Sequence, residues 1–154
     1  MINLPKLLAR VETILDKHQA QYEQETARQG KAYVIKTEDA RMEISITESW
    51  IGYVLSVPAA DIGNLEDTDN YGLNDDNYEI SMEIFKEVTA ALEGLLSQKV
   101  YVGVIGKKKA LAIPAPGGDY KLITVQKAFI GHYIEKEEMS VPEILSIQGL
   151  RVVH

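Results

Sequence analysis

Between Asp76 and Gly106 the apolar period changes once, from that of a helix to that of a strand. Ile80, Ile84, Phe85, Val88, Ala91, Leu92, Leu95 and Leu96 recur at three- and four-residue steps, the spacing of a single apolar stripe on an α-helix. Glu83, Lys86, Glu87 and Glu93 then fall on the opposite face. Asp76, with Glu79 three residues later, has the spacing of a capping box, which predicts a helix start with acidic groups at the positive end of the dipole. Gly94 is the weak point inside that helix. From Lys99 onward Val100, Tyr101, Val102, Val104 and Ile105 form a β-branched and aromatic run that predicts a central strand.

Upstream, Asn3 can cap a first helix that tolerates Pro5 in its opening turn. Leu4, Leu8, Val11, Leu15, His18 and Tyr22 follow at alternating steps of four and three, widened by Leu7 and Ile14 into a stripe suited to packing on the helix's own domain. This helix is expected to fray through a polar stretch toward Gly30. Tyr33, Val34 and Ile35 then predict a strand, and Met42, Ile44 and Ile46 predict a second one with a single wet face. WIGYVLSV predicts a third, apolar on both sides, with Trp50 in the core or at its rim. Connections this short require an antiparallel meander. Residues 58 to 75 break every period and predict a long acidic loop.

After strand 99 to 105, Gly106 and Lys107 turn the chain into a return strand through Ala110 to Ile113. Pro114, Pro116, Gly117 and Gly118 make a turn, and Tyr120 to Ile134 reads as one bent strand or two divided near Gly131. Ser140 to Glu143 can start a helical turn, and Leu150, Val152 and Val153 a last short strand. The fold class is therefore α+β: a mainly antiparallel sheet with an N-terminal and a central amphipathic helix packed against it.

Length and charge narrow this picture. The 154 residues fit one globular domain, residues 1–154, of a size that buries roughly 68–70% of its unfolded surface. Without cysteine there is neither a disulfide nor a thiolate nucleophile. Arg10, Glu12, Asp16 and Lys17 interrupt any apolar leader near the N-terminus, so no membrane association is expected and a cytoplasmic location is the default. The net charge of −7 is unevenly spread: residues 1–41 sum to +1, 42–98 to −11 and 99–154 to +3. No basic side chain stands between Arg41 and Lys86, which argues against binding a nucleic-acid backbone through that segment.

The acidic middle is the strongest candidate site. Asp61, Glu66, Asp67, Asp69, Asp75 and Asp76, with Tyr71 and Tyr78, are expected to face a basic protein partner, carboxylates steering association and tyrosines supplying contact area. Asp67, Asp69 and Gly72 match the first, third and sixth places of an EF-hand loop, but Tyr71 and Tyr78 stand at the fifth and twelfth, so no EF-hand is expected. No metal or cofactor is assigned. Gly106 to Lys109 fails as a P-loop, with Tyr101 and Lys108 at the defining positions, and fails as a nucleic-acid clamp, with Lys109 where a second glycine is required. His132, beside Gly131 and Tyr133, is a minor catalytic candidate if a carboxylate such as Glu43 or Glu48 meets it.

These readings lead to a non-enzymatic binding protein, an inhibitor or immunity-type antitoxin of a basic partner. The element order, a leading helix, a three-strand meander, a second helix and a hairpin, resembles that of small acidic secretion chaperones, without their final helix. That resemblance implies a dimeric chaperone or adaptor as the alternative, with a small hydrolase or isomerase using His132 as the third.

Overall fold

The computed structural model describes residues 2–59 and 62–154. Helix α1 (Leu4–Lys17) begins as its sequence predicts, with the Asn3 side chain accepting the Lys6 N–H at 3.2 Å. It buries Leu7, Leu8, Val11, Ile14 and Leu15 within its own chain. The helix does not fray toward Gly30. It stops at His18, and residues Tyr22–Ala27 are strand β1, paired antiparallel with β2 (Gly30–Lys36). Arg28 and Gln29 join them with φ of 43° and 63°, the left-handed pair that a two-residue hairpin turn needs. Tyr22 thus belongs to a strand, its ring tilted against Tyr33 at 6.1 Å.

Strands β3 (Arg41–Ile46), β4 (Trp50–Ala59) and β5 (Gly63–Gly72) complete a five-stranded antiparallel meander in sequential order. The loop expected over 58–75 is largely β5, in register with β4 from Trp50↔Gly72 to Ala59↔Gly63. Leu65, Asp67, Asp69 and Tyr71 point inward, while Glu66, Thr68 and Asn70 point outward, a period of two hidden by the charge of its inward members. Trp50 is also displaced from expectation. It stands 43% exposed on the outer face rather than in the core.

A 3-10 turn (Asp75–Asn77) leads into α2 (Tyr78–Leu96). Asp76 caps nothing: the Asn74 side chain accepts the Asn77 N–H at 2.9 Å instead, so the capping residue lies two positions before the predicted one and α2 itself begins at Tyr78. Ile84, Phe85, Val88, Ala91, Leu92 and Leu95 are buried as the stripe predicts, each large one stabilising the fold by about 1.5–3 kcal/mol. The second sheet contains β6 (Tyr101–Ile105), β7 (Lys108–Pro114), β8 (Tyr120–Lys127), β9 (His132–Met139) and β10 (Leu150–Val152), in the order β10-β6-β7-β8-β9. Gly131 divides β8 from β9. Helix α3 (Val141–Ser146), closed by a Ser140–Glu143 capping box, places Ile144 in a small cluster with Ala110, Ala112, Tyr120 and Leu122 on one face of this sheet.

The α+β class and the antiparallel pairing hold, but the strands form two sheets. Helix α2 touches β4 and β5 of one and β7 of the other, and a single buried cluster joins α1, the first sheet, α2 and Val102, Leu111, Ile113 and Ile123 of the second. The chain's end is drawn back to the first sheet. The Asp39 N–H donates to the His154 carbonyl, and Asp39 Oδ2 accepts the His154 N–H at 2.9 Å. Among the described residues no helix is long and apolar enough to cross a membrane.

Gly94 is a packing position. A Cβ there would meet the Pro114 ring at 2.6 Å, so the bare backbone lets β7 approach α2. Gly94→Ala should therefore destabilise the protein by about 1–3 kcal/mol through overpacking, although alanine alone would favour the helix by about 1 kcal/mol. Urea unfolding of the two proteins checks the sign, and a stabilised variant would show that the contact is slack.

Candidate functional site

Where α2 passes between the sheets, a cleft of about 460 Å³ opens. Glu83, Lys86 and Glu87 of α2 form one wall, Tyr53 of β4 and Asp67 of β5 another, and Pro114 to Gly117, Lys121 and Glu138 of the second sheet the third. Its floor is a buried polar triad. Asp67 is wholly buried, and its Oδ2 accepts the Tyr53 hydroxyl at 2.6 Å. Its Oδ1 faces the Lys121 ammonium at 2.7 Å, an ion pair rather than an aligned hydrogen bond. Lys121 also donates to the Tyr53 oxygen at 3.2 Å and lies 5.9 Å from that ring's centre.

A carboxylate on the inner face of a strand requires such a partner, since an isolated buried charge costs several kcal/mol. Lys121 supplies it across the sheets, on the same face of β8 as Ile123. Burial, followed by the neighbouring Asp67 carboxylate, raises the Tyr53 hydroxyl well above the ordinary tyrosine range, so Tyr53 is a fixed donor.

Glu87 occupies the wall above. Its Oε2 is buried with no donor facing it. Burial, followed by a hydrogen bond from its protonated carboxyl to Asp69 and by Asp69's charge, pushes its pKa up to about 7 against the pull of Lys121. Glu87 is therefore about half protonated at neutral pH. Helical periodicity assigns Glu87 to the exposed face, but it sits at the seam, four residues before Ala91 and one before Val88. Glu93, assigned to the same exposed face, instead binds His18 Nε2 at 2.7 Å and Lys17 Nζ at 3.2 Å, tying α1 to α2.

The residues of the acidic middle do not form one surface. Asp67 is sealed in the triad and Asp69 is half-buried beside Glu87. Tyr71 is half-buried against the core cluster. Glu66 is exposed on the outer face of β5. Asp75 accepts the Ile2 N–H at 2.8 Å, and Asp76 and Tyr78 are exposed at the start of α2. Asp61 lies outside the described residues. What the sequence does signal, in retrospect, is Lys121: a lysine in phase with Ile123 and Val125 on a core face needs a buried counter-charge.

The other candidates remain apart. His132 is exposed at the head of β9, in register with Lys127, in a shallow groove with Glu66, and without a hydrogen bond or ion pair among the described residues. Glu43 is bound to Arg41 at 2.7 Å on the other sheet. Among the described residues no group of three or more His, Asp and Glu is arranged to hold a metal. No family model, curated protein or solved structure matches this chain.

Two outcomes follow for stability. Lys121→Met should cost about 3–5 kcal/mol by leaving Asp67 buried and unpaired, whereas Lys121→Met combined with Asp67→Leu should recover much of the loss; denaturant midpoints of the pair test this. Because the folded pKa of Glu87 lies above its ordinary 4.5, its contribution is fully present below about pH 4.5 and is lost as pH rises through about 7. Glu87→Gln should leave stability nearly unchanged at about pH 5 and raise it at about pH 9, by roughly 1 kcal/mol because the group is partly solvated. Equal effects at both pH values would place Glu87 in an ordinary surface environment.

Proposed function

We propose that this protein is a non-enzymatic binding module that accepts a lysine or arginine side chain of a basic protein partner in the cleft between α2 and the two sheets. The observation that carries this reading is the Glu87 carboxylate, which holds a buried oxygen without a donor in the wall of a cleft that also presents Glu83 and Glu138. A guanidinium or ammonium brings the donor that the Glu87 oxygen lacks, to a wall in which Glu83 and Glu87 outnumber Lys86. Glu79, Glu83 and Glu87 follow one another at four-residue steps along α2, an arrangement of like charges that costs the isolated helix a few tenths of a kcal/mol per pair. A bound cation reverses that cost.

Asp75 and Asp76 extend the negative field at the mouth of α2, so a basic protein is steered toward it before contact. The cleft offers little to a catalytic reading, because Tyr53 and Lys121 are both committed to Asp67 and its other amine, Lys86, stands exposed on α2. An inhibitor or immunity-type protein, neutralising a basic partner by occupying its arginines or lysines, is the kind of molecule this describes.

A cation placed beside Glu87 lowers its pKa, so binding near pH 7 should release about half a proton per site. Titration calorimetry with a short Arg-rich peptide, in two buffers of different ionisation heat, measures that release directly. The expected result is salt-sensitive binding with proton release, and loss of the release in Glu87→Gln. Binding that releases no proton and ignores the substitution, or no binding at low salt, would refute the cleft as the site.

A further inference from the structure

Among the described residues two uncovered apolar surfaces stand out beyond the cleft, one a projection and one a groove. The first is the tip of the β8–β9 hairpin, where Phe129 is 103% exposed and Ile130 87%, followed by Tyr133 at 69% and Ile134 at 63%. The register of β7 on β8, with Lys109 opposite Val125, puts the β6–β7 turn at the same end of the sheet. Lys107 and Lys127 therefore stand at the end of the sheet that carries the apolar tip, while Lys108 is engaged by Glu135 at 3.5 Å. An apolar projection of this size is uncommon on a chain with no partner.

The second surface is the outer face of the first sheet, which no helix covers. Ala32, Val34 and Val54 floor a groove of about 450 Å³, walled by Trp50 and rimmed by Glu25 and Glu43. Gly52 shapes it. An added Cβ there would meet Asn70 at 2.9 Å and the Trp50 indole nitrogen at 3.2 Å, so the missing side chain lets the indole lie along the sheet and wall the groove.

We propose that the hairpin tip of one copy seats in the sheet groove of a second copy. An apolar knob flanked by Lys107 and Lys127 meets an apolar groove whose rim carries Glu25, Glu43 being paired with Arg41, so both burial and charge favour the match. Symmetric pairing of two β9 edges is the competing arrangement, and charge opposes it. A two-fold axis through Glu135, Lys136 or Glu137 sets that residue against its own copy, and three of the four residues at the centre of β9, Glu135, Lys136, Glu137 and Glu138, are acidic, so such a pairing crowds carboxylates together. The tip-in-groove contact is head-to-tail. Each added copy presents a fresh tip and a fresh groove, so assembly continues rather than stopping at two.

Trp50, the chain's one tryptophan, reports on the groove. Sedimentation velocity across a concentration series should show a mass that rises past the dimer, with Trp50 emission moving to shorter wavelength in step. Phe129→Asp combined with Ile130→Asp removes the tip and leaves the groove; Val54→Lys blocks the groove and leaves the tip. Each variant alone should associate roughly tenfold or more weakly, as loss of an interface anchor does. Their equimolar mixture should form a discrete one-to-one complex, the good tip of one in the good groove of the other. Circular dichroism melts confirm that both variants are folded. A parent chain that stays monomeric, association that survives Val54→Lys, or a mixture of folded variants that stays monomeric would each overturn the proposal. Tip-dependent capture of a monomeric parent chain by anionic vesicles would overturn it in favour of a bilayer.

Discussion

Helix α2 has to satisfy two sheets at once, and that requirement organises the molecule. Each meander has an apolar face to bury, and one nineteen-residue helix lies against both. A helix packed on two sides places some of its polar side chains at the seams, while Glu79, Glu83 and Lys86 remain exposed. Glu93 reaches α1, Glu87 meets β5 and Gly94 admits β7. Where the two sheets diverge from the helix, the gap between them is the cleft. The candidate site is thus a by-product of covering two sheets with one helix, and its charge comes from the residues left at the seam.

The Asp67–Lys121 pair is the polar counterpart of that arrangement. Replacing such a pair by apolar groups is often neutral or stabilising, so it is weak evidence for stability as such. Its effect here is positional. Asp67 fixes the Tyr53 hydroxyl and the Lys121 ammonium on one side of the cleft, so neither neutralises Glu87 and the opposite wall keeps its negative charge. Under the proposed reading the cleft favours a cation over an anion: Glu83, Glu87 and Glu138 line it and Lys121 is already held by Asp67, which leaves Lys86 as the one lysine an anion would meet.

Much of the architecture is legible in residue patterns, and the failures share one cause. Strands such as Met42–Ile46 and helices such as Ile84–Leu95 are readable because apolar side chains mark the inward face. β5 is not, because two of its inward residues are Asp67 and Asp69, and local sequence cannot reveal that Tyr53, Lys121 and Glu87 will accept them. β1 is missed for a related reason: YEQETA carries a single aromatic and is held as a strand by pairing with β2. Trp50 misleads in the other direction, since its size suggests a core but Gly52 offers it a bed on the outer face. The site was accordingly legible as an acidic composition and illegible as a place.

The sequential order of the first sheet also has a kinetic meaning. Every one of its strands pairs with its immediate neighbour in the chain, so its contacts close short loops and incur little entropy before they are rewarded. In the second sheet β6 to β9 do the same, and only β10 must return across the array to β6. Each meander closes mainly through local contacts, whereas their joint docking on α2 relies on contacts more distant in sequence, those of α2 with α1 and β4 among them. The cleft does not exist until that docking is complete, so the appearance of its charged wall marks the arrival of the native state rather than of either sheet.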